Sequence, residues 1–156
     1  MLLGSAAGYR DDTALAERSD VLTFITAALE ADLEVVGVPY LELAHEADSQ
    51  SADVAVRISD VDVDGKSTNV SDGFTNLGDC SPTLLRIDLD PVAHRFGMGH
   101  RIRLTIAGGS FPRFARNLGT GEPVATGTDF VRSTHDIDCA RTALVLPVTP
   151  LPPSES

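Results

Sequence analysis

Between Arg101 and Ile106 the chain alternates strictly: Ile102, Leu104 and Ile106 share one face, while Arg101, Arg103 and Thr105 share the other. That period of two is the signature of a strand with one buried face. Burying each aliphatic side chain contributes about 1.5–3 kcal/mol. A slip of one residue would carry two guanidinium groups into the core, so the register is closely specified. Gly97 and Gly99 precede the run, and Gly108, Gly109 and Pro112 follow it, where a ladder cannot propagate.

The same alternation recurs along the chain. Strands are predicted at Val21–Thr26, Leu33–Val36, Tyr40–Ala44, Asp53–Val61, Leu84–Leu89, Arg101–Ala107 and Ala143–Val148. In Asp53–Val61, Val54, Val56 and Ile58 point one way and Ala55, Arg57 and Ser59 the other. Asp64-Gly65 then supplies a hairpin turn leading into Ser67–Val70. Only Thr13–Arg18 and Ala27–Asp32 read as helical, and both are too short to be stable without tertiary support. The expected class is all-β, a sandwich of strands spaced by turns.

A chain of 156 residues with 42% hydrophobic content can bury one core. The expected division is a linker segment over 1–18, one sandwich domain over 19–149 and a tail over 150–156. Loose ends are expected at Met1–Asp12 and from Pro147 to Ser156. The first residues lack a basic region and a long apolar run, so a cytoplasmic protein is expected.

The formal charge of −11 is uneven: residues 1–72 hold 15 acidic and 4 basic side chains, whereas residues 73–156 hold 8 of each. An acidic surface repels phosphate, which argues against nucleic acid or an anionic membrane as partner. Within the neutral half, Arg101, Arg103, Arg113 and Arg116 are candidates for a basic patch facing an acidic surface.

No catalytic, cofactor-binding or metal-binding residues are assigned. Gly-x-Ser-x-Gly does not occur, since Gly108-Gly109-Ser110-Phe111-Pro112 fails at its last position. His45, His94, His100 and His135 are the only imidazoles, and no motif links one of them to a serine. Asp60-Val61-Asp62-Val63-Asp64-Gly65 copies the start of a calcium loop, but Ser71 stands where its bidentate glutamate belongs. A hairpin with acidic residues on its outer side is the expectation there, over calcium held by Asp60, Asp62 and Asp64. His135, Asp136, Asp138 and Cys139 lack the further pair of ligands that zinc needs, and Cys80 and Cys139 have no CxxC spacing, so reduced thiols are expected.

Several segments together carry a family likeness. Arg18-Ser19-Asp20-Val21-Leu22-Thr23-Phe24, Leu33-Glu34-Val35-Val36-Gly37 and Asp60-Val61-Asp62-Val63-Asp64-Gly65-Lys66-Ser67 are followed by Asn69-Val70-Ser71-Asp72-Gly73. Ile87-Asp88-Leu89, Asp90-Pro91, His94-Arg95-Phe96, Arg116-Asn117, Thr120-Gly121-Glu122-Pro123 and Leu144-Val145-Leu146-Pro147-Val148 come next, in order. The set resembles the C-terminal non-catalytic domain of the X-Pro dipeptidyl-peptidase and cocaine-esterase group of serine hydrolases. The resemblance implies a jelly-roll β-sandwich of the galactose-binding-like kind. It also implies an α/β-hydrolase partner domain that carries the catalytic triad, in the same or a separate chain. Phe111, Arg113, Phe114 and Arg116 would be the interdomain contacts, an aromatic and arginine mixture typical of interface centres; the alternative is that Phe111 and Phe114 plug one end of the sandwich. The alternatives are a free-standing module that binds carbohydrate or protein, and a homo-oligomer formed by an orphaned docking face.

Overall fold

The computed structural model describes residues 8–49, 51–78, 83–123 and 125–149. Among the described residues eleven strands follow one 3-10 turn at Thr13–Glu17: β1 (Val21–Ile25), β2 (Leu33–Gly37), β3 (Tyr40–Ala47), β4 (Ala52–Val61), β5 (Ser67–Leu77), β6 (Leu84–Asp88), β7 (Val92–Phe96), β8 (Arg101–Ala107), β9 (His135–Ile137), β10 (Ala143–Val145) and β11 (Val148–Thr149). One sheet runs β1-β8-β4-β5, a second β10-β3-β6 with β9 also on β3, and a third β11-β2-β7. Every pairing is antiparallel. Val54, Val56 and Ile58 of β4 and Ile102, Leu104 and Ile106 of β8 share one core with Leu41 and Leu43 of β3, Leu85 and Ile87 of β6, Val35 of β2 and Phe96 of β7. That packing makes the domain an antiparallel β-sandwich, and the apolar faces of β4 and β8 fall as predicted, although Ser59 on the opposite face of β4 is also buried. Among the described residues no helix is long and apolar enough to cross a membrane.

Several expectations fail. Ala27–Asp32 is a loop rather than a helix. Leu29 donates its N–H to His100 O and accepts from Gly99 N–H, while Asp32 accepts the Met98 N–H and pairs with Arg95. Those bonds hold the segment extended against the turn at 97–100. The predicted strand Ala143–Val148 is two strands on different sheets, because Pro147 has no N–H to continue a ladder: β10 pairs with β3, and β11 with β2. The second of these, β11, also gives regular pairing to the start of the expected loose end after Pro147. At the other end, Asp12 N–H donates to Ser67 O and Arg10 O accepts from Asn69 N–H, so Arg10–Asp12 is tied to β5. The remaining short helical expectation, Thr13–Arg18, appears as the single 3-10 turn.

The strand β7 escaped the sequence reading, since His94 and Arg95 dilute its apolar character. It exists because its backbone completes β2, and Phe96 is driven into the core. The other outer departure is on the far face of the first sheet. Thr23, Thr105, Arg57 and Asp72 lie in one cross-strand row, and Thr105 is buried rather than solvent-facing.

Candidate functional surface

Gly108 to Thr134, between β8 and β9, form no regular element among the described residues, yet side chains fix the excursion at defined points. Phe114 stacks on Phe74 of β5, with ring centroids 3.8 Å apart and planes 8° from parallel. Arg113 Nη1 lies 2.6 Å from Asp72 Oδ2, and its Nη2 lies 3.1 Å from Asp90 Oδ2. Asp72 also accepts from Arg57 Nε at 2.6 Å, and Arg57 Nη1 comes within 3.6 Å of Asp12, which accepts the Ser59 hydroxyl. Charges therefore alternate in a line, Asp12, Arg57, Asp72, Arg113, Asp90. Burial works against the Arg57 cation, but Asp72 and Asp12 outweigh it and hold its pKa above the ordinary guanidinium value. Gly73 lets β5 approach this corner, because a Cβ there would lie 3.1 Å from both Asp88 O and Leu89.

A second anchor is Asn117. Its Nδ2 donates to Asp53 Oδ1 at 2.8 Å, and Asn76 Nδ2 donates to the same oxygen at 2.7 Å. Asp53 is only 4% exposed, so these two amides replace the water that a carboxylate would otherwise hold. Asn117 Oδ1 accepts the Gly119 N–H, and Gly119 has φ +73°. A Cβ at Gly119 would sit 2.6 Å from Val131 O, which closes the return of the excursion. Arg116-Asn117 is one of the family motifs, and Asp53 opens a predicted strand. Their being partners was not legible, for 64 positions separate them.

The four predicted contact residues thus divide into two kinds. Arg113 and Phe114 are turned onto β5 as struts. Phe111 is 74% exposed, and Arg116 lies over the ring of Phe130, 5.5 Å from its centroid, with Phe130 itself 60% exposed. Sequence reading did not single out Phe130 or the exposed Val131 beside it. Of the proposed basic patch, Arg101 and Arg103 neighbour each other on the outer face of β8, Arg113 is engaged by carboxylates, and Arg116 stands with Phe130.

The imidazoles fall into two pairs. Asp60 receives His94 Nε2 and His100 Nδ1, each at 2.8 Å, on different carboxylate oxygens. Asp62 Oδ1 accepts the N–H groups of Asp64 and Lys66, and Gly65 takes φ +86°, so the calcium-like run forms the expected hairpin, but Asp60 is largely buried against the two imidazoles rather than on its outer side. Among the described residues no group of three or more His, Cys, Asp or Glu side chains is arranged to hold a metal ion. Asp138 caps a turn through Ala140 N–H and Thr142 Oγ, beside the exposed Cys139. Cys80 lies outside the described residues.

The other pair is His45 and His135, with Nε2 and Nδ1 2.9 Å apart. Ser133 Oγ lies 3.3 Å from His135 Nε2, a spacing that invites comparison with a nucleophile and its base. The proton arrangement that satisfies the most contacts argues against that comparison. Ser49 Oγ lies 2.9 Å from both Ser51 O and Ser133 Oγ and has one proton; the arrangement that keeps both contacts gives that proton to Ser51 O and has Ser133 donate to Ser49 Oγ. His135 Nε2–H therefore donates to Ser133, and His45 Nε2–H donates to His135 Nδ1. Ser133 faces a donor, not a base.

Fold and surface define an antiparallel β-sandwich module with one side-chain-pinned excursion. The chain belongs to the family of X-Pro dipeptidyl-peptidase C-terminal non-catalytic domains, whose family model matches residues 4–144. It is 28% identical, over 130 aligned residues covering 76% of this chain and 23% of the relative, to a cocaine esterase of Rhodococcus sp. (strain MB1 Bresler). Its fold matches an aminopeptidase from a marine sediment Thaumarchaeota archaeon with TM-score 0.81 and 25% identity, over 90% of this chain and 27% of that one. An α-amino acid ester hydrolase shares the fold with TM-score 0.79 and 23% identity, over 89% of this chain and 27% of that one. The chain thus spans about a quarter of the length of these relatives.

Proposed function

We propose that this chain is the accessory C-terminal domain of an X-Pro dipeptidyl-peptidase or acyl-esterase type serine hydrolase, a jelly roll of the galactose-binding-like kind acting in the cytoplasm. In this reading it packs against an α/β-hydrolase domain that supplies the nucleophile. The observation that carries the proposal is that the family match covers most of this chain, while the chain accounts for only 23% of the cocaine esterase. Phe111, Arg116 and Phe130 are the outward groups of the excursion and serve as its docking contacts, with Arg113 and Phe114 bracing them from behind. Aromatic and arginine side chains are enriched at interface centres, the rings because they bury large area with few rotors and the guanidinium because it pairs with carboxylates through a planar fork.

The test begins with the coding sequence upstream of Met1. An open frame encoding Gly-x-Ser-x-Gly is expected, and the domain it encodes should form a one-to-one complex with this chain in size-exclusion chromatography. Phe111→Asp combined with Phe130→Asp should weaken that complex at least about tenfold, the effect of losing about 1.4 kcal/mol. An independent start signal with no such frame, or no complex, overturns the reading. The chain alone should not turn over a p-nitrophenyl ester; turnover abolished by a serine-directed inhibitor would contradict the accessory role.

A further inference from the structure

His45 is 3% exposed, and its Nδ1 is buried with no hydrogen-bond partner. In the proton assignment above, that nitrogen carries a lone pair, the less demanding state for an unpaired buried atom. An extra proton has two places to go. It can bind His45 Nδ1 directly, or it can bind His135 Nδ1 and force His45 into its other tautomer. Either route leaves a buried N–H at His45 Nδ1 with no acceptor, and leaves a cation in the pair. The hydroxyl chain through Ser133, Ser49 and Ser51 O offers no second acceptor to either ring.

The pair also sits at a structural junction. His45 belongs to β3 and His135 to β9, which is paired to β3 over only three residues. Thr134 N–H donates to Asp48 Oδ1 and Asp48 N–H donates to Thr134 O, next to the two rings. Gly108, where the excursion leaves β8, packs on His135 so closely that a Cβ would lie 3.2 Å from its Nε2. Both ends of the 108–134 excursion thus meet at one imidazole.

We propose that the His45–His135 pair is an acid-sensitive latch, holding β9 and both ends of the 108–134 excursion against β3 at neutral pH and releasing them on uptake of a proton. The latch consists of contacts within this chain and does not depend on the docking role. Facing charges only partly counter it: Glu46 on β3 and Asp136 on β9 favour the His45 cation, Asp48 and Asp53 of β4 favour the His135 cation, and Asp138 and Arg141 border the groove beside His45. Burial first, and for His45 its neighbour His135 second, hold both rings below the ordinary imidazole value of about 6.5. The released form therefore binds more protons than the latched form. Latching is complete above about pH 6.5 and weakens as pH falls toward the depressed values, by up to about tenfold per pH unit for each ring.

Amide hydrogen exchange on the full chain tests this. After correction for intrinsic rates, protection of residues 134–137 should fall between pH 7.5 and 5.0, and protection of β4 should fall less. His45→Gln combined with His135→Gln preserves side-chain donors without a titrating ring and should remove most of that dependence. Unchanged protection in the native chain, or the same dependence in the double variant, overturns the latch. Ring nitrogen chemical shifts of the unsubstituted chain decide independently, even where the variant does not fold. Both rings should be Nε2–H tautomers at pH 7.5 and should titrate below about 6.5. An Nδ1–H tautomer in either ring, or ordinary titration in both, would overturn it.

Discussion

The β4–β5 hairpin forms one side of the first sheet and the 108–134 excursion packs on it through Phe74, Asp72 and Asp53, but different forces hold the two regions. The hairpin is tied by a backbone ladder from Ala52↔Leu77 to Val61↔Ser67, with one register shift after Ile58. The excursion is held by a few side chains, namely Phe114 on Phe74, Arg113 on Asp72 and Asp90, and Asn117 on Asp53. A ladder spreads its stability over many equivalent bonds and responds to loss of the core beneath it. Side-chain anchors concentrate stability at single residues, so one substitution can free a region while the sandwich stays folded.

The largest expected effect lies on the ladder side. Ile58→Ala removes a side chain that is 1% exposed and should lower global stability by about 2–5 kcal/mol in urea denaturation. A value within error of the native chain would mean that the core closes around the gap. Next comes Asn117→Ala, which deprives a buried carboxylate of one amide and should destabilise by about 1.5–3 kcal/mol. The comparison predicts that exchange protection is lost first around Gly119 and Val131, with β4 and β5 still protected; uniform loss would erase the distinction between the two regions. Phe114→Ala should remove about 0.5–1.5 kcal/mol of ring stacking in addition to its buried area, and should raise protease cutting between Gly108 and Gly119. Smallest is Arg113→Ala. Arg113 is about half exposed, so solvent screens its pairs, and the change in stability should stay within about 1 kcal/mol, shrinking further in high salt. A large effect there would identify the line of charges from Asp12 to Asp90 as one cooperative network.

What was legible in the sequence depended on range. Ile102, Leu104 and Ile106, or Val54, Val56 and Ile58, announce a buried face because the period-two signal is contained within a few neighbouring residues. Asp64-Gly65 announces its turn for the same reason. The family likeness was legible too, as an ordered series of short local motifs. The surface was only half legible: Phe111, Arg113, Phe114 and Arg116 stood out by residue type, but nothing local told struts from outward groups. Arg113 and Phe114 were assigned their places by Asp72 and Phe74, which belong to another strand.

The sequence by itself determined the all-β class, the inward faces of β4 and β8, the hairpin turn and the family. These follow from alternation, turn chemistry and motif order, all written in adjacent residues. Only the tertiary structure decided that Ala27–Asp32 is a loop, that β10 and β11 join different sheets, and that β7 exists at all. It alone paired Asp60 with His94 and His100, Asp53 with Asn117, and His45 with His135 across 34 to 90 positions. The physical reason is common to all of these. A backbone amide or a buried polar side chain must find a partner, and which one it finds is set by what the fold brings within about 3 Å, not by what lies beside it in the chain.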